Sequence, residues 1–330
     1  MMTMSLVTDI LGDMPLEQML DTVSGLGFEA VELGCGNWSK APHLKLDELL
    51  DSAAARGRFT DALHRHDLSI SALNCSGNQL HPGASGKAHA AVVEKTFRLA
   101  EKLGVGTVVM MSGLPGGSPT DAVPNWITHV ILPEHEQALD YQWNEVLIPY
   151  WRKAATLAKD CGIRVAIENL GATMIHNPAN MLRLRENVDP VIGMNFDPSH
   201  HMWMGGDPIA AMRLLGDAIH YLHAKDVRRE RVMADNNGLI DTYRMDEIAK
   251  RAWNYVALGH GHDVQWWKEF FAVARFAGYD GPVSLEMEDM GLEPLTGVKA
   301  SLTTLKLALP RNFDRRDAQA LADKDRKSVP

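Results

Sequence analysis

Eight times along this chain a short apolar, β-branched run gives way to a segment of helical period, and that alternation limits the architecture more than any other feature. The runs cover 4–9, 30–34, 68–74, 107–112, 164–169, 191–197, 219–226 and 282–288. Strand–helix pairs repeated in order require a parallel sheet with helical crossovers. Eight parallel strands also close into a barrel filled by its own side chains. An open doubly wound sheet is the rival. It lacks support, because no GxGxxG opens a helix after any strand, and Gly113-Leu-Pro-Gly-Gly-Ser118 runs into Pro119 and Pro124.

The expectation is therefore an α/β chain folded as one (β/α)8 TIM barrel over residues 1–310, followed by a charged tail at 311–330. Helices are expected at 15–26, 46–66, 86–103, 133–161, 178–187, 208–215, 264–276 and 294–308. Gly27, Gly104, Gly162, Gly216 and Gly278 each stand between a helix and the next strand, as helix stops do. Two connections, 112–131 after the fourth strand and 227–263 after the seventh, are too long for ordinary loops. Both follow strands, so both belong to the rim where barrel active sites form, as lids or docking segments.

Composition narrows the function. A net charge of −9 argues against nucleic acid, whose phosphates need a concentrated basic face. No stretch approaches a membrane span and the first residues do not resemble a signal peptide, so a soluble cytoplasmic protein is expected. Cys35, Cys75 and Cys161 form no CxxC pair and read as inert, reduced thiols.

Four strands of the second half each end in a possible metal ligand: Val165-Ala-Ile-Glu168, Ile192-Gly-Met-Asn-Phe-Asp197, Ile219-His-Tyr-Leu-His223 and Val283-Ser-Leu-Glu286. A strand reaching the rim offers its last side chain to the mouth, so Glu168, Asp197, His223 and Glu286 can surround one point. Three oxygen donors and an imidazole suit a divalent ion, Mn²⁺ first, with Mg²⁺, Co²⁺ and Zn²⁺ also acceptable. Alternation puts Lys225 on the face of His223 and leaves Ala224 and Asp226 on the other. Glu286 and Glu288 share a face, with Glu286 the ligand and Glu288 nearer the rim. His200, in Asp197-Pro-Ser-His200, falls near the same pocket, while His201 points elsewhere.

As a set, Glu168, Asp197-Pro-Ser-His200, His223-Ala-Lys225-Asp226-Val-Arg228 and Glu286 resemble the xylose-isomerase-like TIM barrels, a family of sugar phosphate isomerases and epimerases. The resemblance runs from about residue 4 to residue 309. It implies that the four donors bind the metal and that Glu168 and Glu286 exchange the substrate proton. It also matches His200 and Arg228 to substrate-binding positions. Two departures stand out: Glu168-Asn-Leu-Gly171 lacks the histidine of many relatives, and Met174 replaces a substrate-binding glutamate of the epimerases. Leu73-Asn-Cys-Ser-Gly-Asn-Gln-Leu-His-Pro82, Gly36-Asn-Trp38 and Gly259-His-Gly-His-Asp263 are similar to the α subunits of C-glycoside deglycosidases. That similarity adds Asn74, Trp38 and His260 as substrate-binding candidates. It further implies 3-oxo-glycosides as substrates and a small partner subunit; a homo-oligomer is the other assembly considered.

The chemistry implied is metal-dependent isomerisation or epimerisation of a sugar or keto-sugar. A base removes the hydrogen α to a ketone through a metal-stabilised enediolate, with Lys225, His200 and Arg228 orienting oxygens. Elimination of a β leaving group after the same first step would make it a lyase of 3-oxo-glycosides. A non-catalytic sugar-binding barrel is the alternative outside enzymology.

Overall fold

The computed structural model describes residues 2–310, so the expected charged tail, 311–330, lies outside the described residues. Eight parallel strands close a barrel: β1 (Met4–Val7), β2 (Ala30–Gly34), β3 (Ser69–Asn74), β4 (Thr107–Met111), β5 (Arg164–Glu168), β6 (Ile192–Phe196), β7 (Ile219–Ala224) and, last in the chain, β10 (Val283–Leu285). They pair in the order β1-β10-β7-β6-β5-β4-β3-β2. Helices cover the outside, so β2, β4, β6 and β7 are buried along their whole length. Strands covered on both faces read as continuous apolar runs, which is why they were legible.

The helical layer is more broken than its periodicity suggested. It begins with α1 (Leu16–Leu26), which stops at Gly27 with φ 87°. The expected helix over 46–66 is two, α2 (Leu46–Asp51) and α3 (Ala53–Arg65), because Ser52 turns extended and caps α3 by accepting from the Ala55 N–H. After α4 (Ala84–Leu103), which stops at Gly104 with φ 69°, the helix over 133–161 is also divided. There α5 (Pro133–Asp140) and α6 (Ile148–Asp160) flank a π-helical stretch, Tyr141–Leu147. That stretch points Gln142 inward, where its amide donates to the Asn125 carbonyl at 2.6 Å and pins the irregular 112–131 loop. The next helices are α7 (Pro178–Asn187), α8 (Pro198–Trp203) and α9 (Pro208–Leu215). Of these, α8 was not expected: Asp197 caps it through the Ser199 N–H and Pro198 occupies its first turn.

The seventh run, read as one strand over 219–226, is divided at Lys225. Beyond it β8 (Asp226–Arg229) leaves the barrel and pairs antiparallel with β9 (Trp253–Val256), with α10 (Arg231–Asn237) between them. The long connection after β7 is therefore a folded ribbon, which stacks Trp253 on Trp203 at 4.7 Å. The chain then forms α11 (Val264–Phe276) and α12 (Pro294–Ala308), packed together outside β10.

Asp226 explains the Gly-His-Gly-His motif. Its carboxylate accepts from the backbone N–H groups of Gly259, Gly261 and His262 and from His262 Nδ1. A Cβ on Gly261 would stand 2.3 Å from the Val227 carbonyl oxygen, so only glycine lets the loop close. His262 and Trp266 thus belong to the start of α11, and His260 is exposed.

Candidate active site

Within the barrel, Tyr221 packs on Ala72, Val109 and Ala166, and its hydroxyl meets Ser71 Oγ at 2.6 Å. This layer closes the axis beneath the rim. Two residues further along the same inward face of β7 stands His223, fully buried.

Glu168, Asp197, His223 and Glu286 converge as expected: one donor atom from each lies within 4.8 Å of the other three. Each donor is aimed by a neighbour. His223 Nε2 faces Glu32, at 3.1 and 3.3 Å from its two carboxylate oxygens, so the proton on Nε2 leaves Nδ1 to the cluster. Asp197 spends Oδ1 on the cap of α8 and on Ser199 Oγ at 2.7 Å, which turns Oδ2 inward. Glu168 is held through Oε1 by His200 Nε2 at 2.9 Å and through Oε2 by Asn195 Nδ2 at 3.2 Å. Glu286 accepts from Lys225 Nζ at 3.1 Å.

The electrostatics describe a ring of carboxylates offset only by the His223 imidazole and the Lys225 ammonium. Burial, with Glu286 close by, pushes Glu168 up to about 8. Burial also raises Asp197. Burial would raise Glu286 too, but Lys225 and His223 outweigh it and hold that carboxyl well below the usual range. Burial opposes a charged His223, yet Glu32, Glu286 and Glu168 together hold the imidazole well above its ordinary value. Two buried atoms facing the centre, Asp197 Oδ2 and His223 Nδ1, make no hydrogen bond among the described residues. His223 Nδ1 lies 3.0 Å from Glu286 Oε2, at an angle unfit for one. Orphaned buried polar atoms are costly, and a divalent cation would satisfy both and replace the imidazole proton. The donor set thus fits a divalent metal of borderline hardness.

Above the cluster opens a cavity of about 400 Å³ whose walls include Glu168, His200, Lys225, Tyr255, Glu286 and Glu288. Trp38 and Asn74 also line it, so these two candidates share the cavity of the cluster. Asn74 supports the site as well, donating through Nδ2 to Glu32 at 2.7 Å. Glu288 stands at the rim and pairs with Lys225 at 2.5 Å. Burial opposes the Lys225 charge, but Glu286 and Glu288 keep the ammonium well above its ordinary range. His201 is turned away, its ring edge against Phe196.

Arg228 and His260 are not brought to this cavity. Because β8 turns out of the barrel, Arg228 ends half-exposed on Glu230, at 2.7 Å. With His260 it lines a neighbouring hollow of about 270 Å³ that shares Met245, Tyr255 and Glu288 with the main cavity. Cys35 and Cys75 are buried inert thiols; burial raises both, Cys75 to about 12.

Three residues were missed from sequence. Glu32 sits at mid-strand within Ala30-Val-Glu-Leu-Gly34, and its only signal was a charge inside an apolar strand, which demands a partner. Asn195, one residue before the end of β6, is a lone amide inside an apolar run. Tyr255 comes from the ribbon and meets His200 Nδ1 through its hydroxyl at 2.9 Å. Trp203 Nε1, a donor only, also faces Nδ1 at 3.4 Å, so the His200 proton belongs on Nε2, pointing at Glu168.

Comparison with known proteins agrees with the barrel fold. The family described as xylose isomerase-like TIM barrel matches residues 20–308. The uncharacterized protein YfiH of Bacillus subtilis is 50% identical over 308 residues, covering 92% of this chain and 98% of that one. A 96-residue stretch is 27% identical to the inosose dehydratase of Geobacillus kaustophilus, 29% of this chain and 31% of that protein. Among solved structures, the IOLI protein with a bound zinc atom superposes with a TM-score of 0.64 at 16% identity, covering 95% of this chain and all of that one. A D-psicose 3-epimerase superposes at 0.58 with 14% identity, covering 92% and 97%. Among the described residues no helix is long and apolar enough to cross a membrane.

Proposed function

This chain belongs to the xylose isomerase-like TIM barrel family, and we propose that it is a divalent-metal-dependent isomerase or epimerase of a sugar or keto-sugar. The observation that carries the reading is the convergence of Glu168, Asp197, His223 and Glu286, with two of their buried donor atoms making no hydrogen bond among the described residues. Manganese is the metal proposed, from three carboxylates and one imidazole. Bound there, the ion would supply Lewis acidity to the substrate carbonyl, lowering the cost of removing an α hydrogen.

The chain's own groups then divide the work. Glu168 and Glu286 reach the cavity from β5 and β10, three places apart round the barrel. One carboxylate takes the proton and the other returns it. His200 keeps Glu168 oriented through Nε2, and Tyr255 keeps His200 oriented. Lys225 meets Glu286 and Glu288 and has an ammonium ready for a substrate oxygen. Trp38 and Asn74 bind the rest of the sugar.

A second reading, a lyase of 3-oxo-glycosides acting with a small partner subunit, is favoured by the hollow beside the cavity. Arg228, His260 and Met245 there leave room for a leaving group. Incubation with ketoses and 3-keto-glycosides in D₂O separates the two. Deuterium at the α carbon with the substrate skeleton intact supports the first, and released aglycone the second. No exchange and no cleavage with Mn²⁺-loaded protein would refute both.

A further inference from the structure

We propose that Asp9 selects the substrate, accepting hydroxyl groups on the β1–β2 side of the cavity and rejecting anionic sugars, so that the chain acts on uncharged polyhydroxy ketones rather than on sugar phosphates or sugar acids. The assignment rests on the sugar-ketone reading above and narrows its substrate class.

Asp9 lies in the short 3-10 turn Thr8–Leu11 that follows β1, beside the mouth. Asp9 lines the cavity with Ser39 beside its carboxylate, and Oδ1 is buried without meeting hydrogen-bond geometry among the described residues. The neighbouring chain is shaped to keep it there. A Cβ on Gly34, the last residue of β2, would stand 2.7 Å from Asp9 Oδ1 and 2.2 Å from Ser39 Oγ. The bare backbone at Gly34 lets both polar side chains occupy the end of the cavity. A buried carboxylate oxygen left unpaired is costly, and paired sugar hydroxyls are the donors that a two-oxygen acceptor suits. Trp38, 52% exposed, stands at the same end and offers a flat apolar face to ring C–H groups.

The charge balance excludes an anion. Among the described residues that line the cavity, Asp9, Glu168, Glu286 and Glu288 face Lys225 as the one lysine or arginine. Lys225 is already held by Glu286 and Glu288. A divalent ion would be matched by Glu168, Asp197 and Glu286. The nearby His43 imidazole is bonded through Nε2 to the Met14 carbonyl and is kept neutral by burial. Burial raises Asp9, and no lysine or arginine of the cavity lining is left over to face it, so a phosphate or carboxylate placed against Asp9 finds no countercharge in a partly desolvated site.

The test is calorimetric binding to Mn²⁺-loaded wild-type, D9N and S39A proteins. The uncharged probes are D-fructose, D-psicose and 2-keto-myo-inositol; the charged ones are D-fructose 6-phosphate and 2-keto-D-gluconate. Wild type should bind at least one uncharged ketone about tenfold more tightly than every charged probe. D9N, which keeps the shape and loses the charge, should bind uncharged ketones more weakly and narrow that gap. S39A should keep the preference. Equal or tighter binding of a charged probe by wild type, no binding of any uncharged ketone, or an unchanged preference in D9N would overturn the assignment. Binding without exchange of the α hydrogen in D₂O would leave it standing and remove the proposed reaction.

Discussion

Strand β7 carries two buried histidines three residues apart, and they have opposite environments. His223 points into the barrel mouth among Glu32, Glu168 and Glu286, which hold its imidazole well above the ordinary range. His220 points outward, its Nδ1 2.9 Å from the Val165 carbonyl, its ring against Gly193 of the neighbouring strand. Burial pushes it down to about 4. Both rings are almost out of water, so accessibility does not distinguish them. The difference is the company of charges: an imidazole among carboxylates calls for a cation, whereas one against a backbone carbonyl needs only to remain neutral.

The sharpest way to break the contrast lies on the inner face. Glu168→Gln and Glu286→Gln should each lower turnover by about a thousandfold or more while the circular dichroism spectrum is retained. A fully active Glu286→Gln protein would remove the proton-transfer assignment. On the outer face the expected effect is on the fold. An unfolded histidine takes up a proton below about pH 6.5 and folded His220 only near 4, so the unfolded state gains protons as pH falls through that window. Stability should decline there by up to about 3 kcal/mol on this account. His220→Gln should show a shallower loss in urea titrations between pH 6.5 and 4, and an unchanged slope would contradict the role given to the outer imidazole.

Glu32→Gln should weaken Mn²⁺ binding by about 10- to 100-fold, because Glu32 sets which nitrogen of His223 faces the centre. Titration calorimetry reads this directly, and wild-type affinity would reject the orienting role. Glu288→Gln should have the smallest effect, a change in kcat below about fivefold, since its pair with Lys225 stands at a partly exposed rim.

The same two faces explain what the sequence could reveal. The closed barrel was legible because most of its strands, β2, β4, β6 and β7 among them, are buried along their whole length and read as largely apolar runs. Glu168, Asp197, His223 and Glu286 were legible because each ends or follows such a run, where only the rim is available. Glu32 lies inside its run, and its meaning depends on His223, far away in the chain. Tyr255 depends on pairing between 226–229 and 253–256, a non-local match that no period announces. The same pairing draws Arg228 out of the mouth, which the alternation along β7 could not foresee. The breaks at Ser52 and at Tyr141–Leu147 replace one periodic signal by two shorter helices, and periodicity alone passes over them.

The most direct test of the central idea is the number of Mn²⁺ ions bound per chain, measured by calorimetric titration of metal-stripped protein and repeated on Asp197→Asn and His223→Ala. One tightly held ion in wild type, lost or greatly weakened in both variants, is the predicted result. No stoichiometric binding, or binding that neither substitution disturbs, would contradict it.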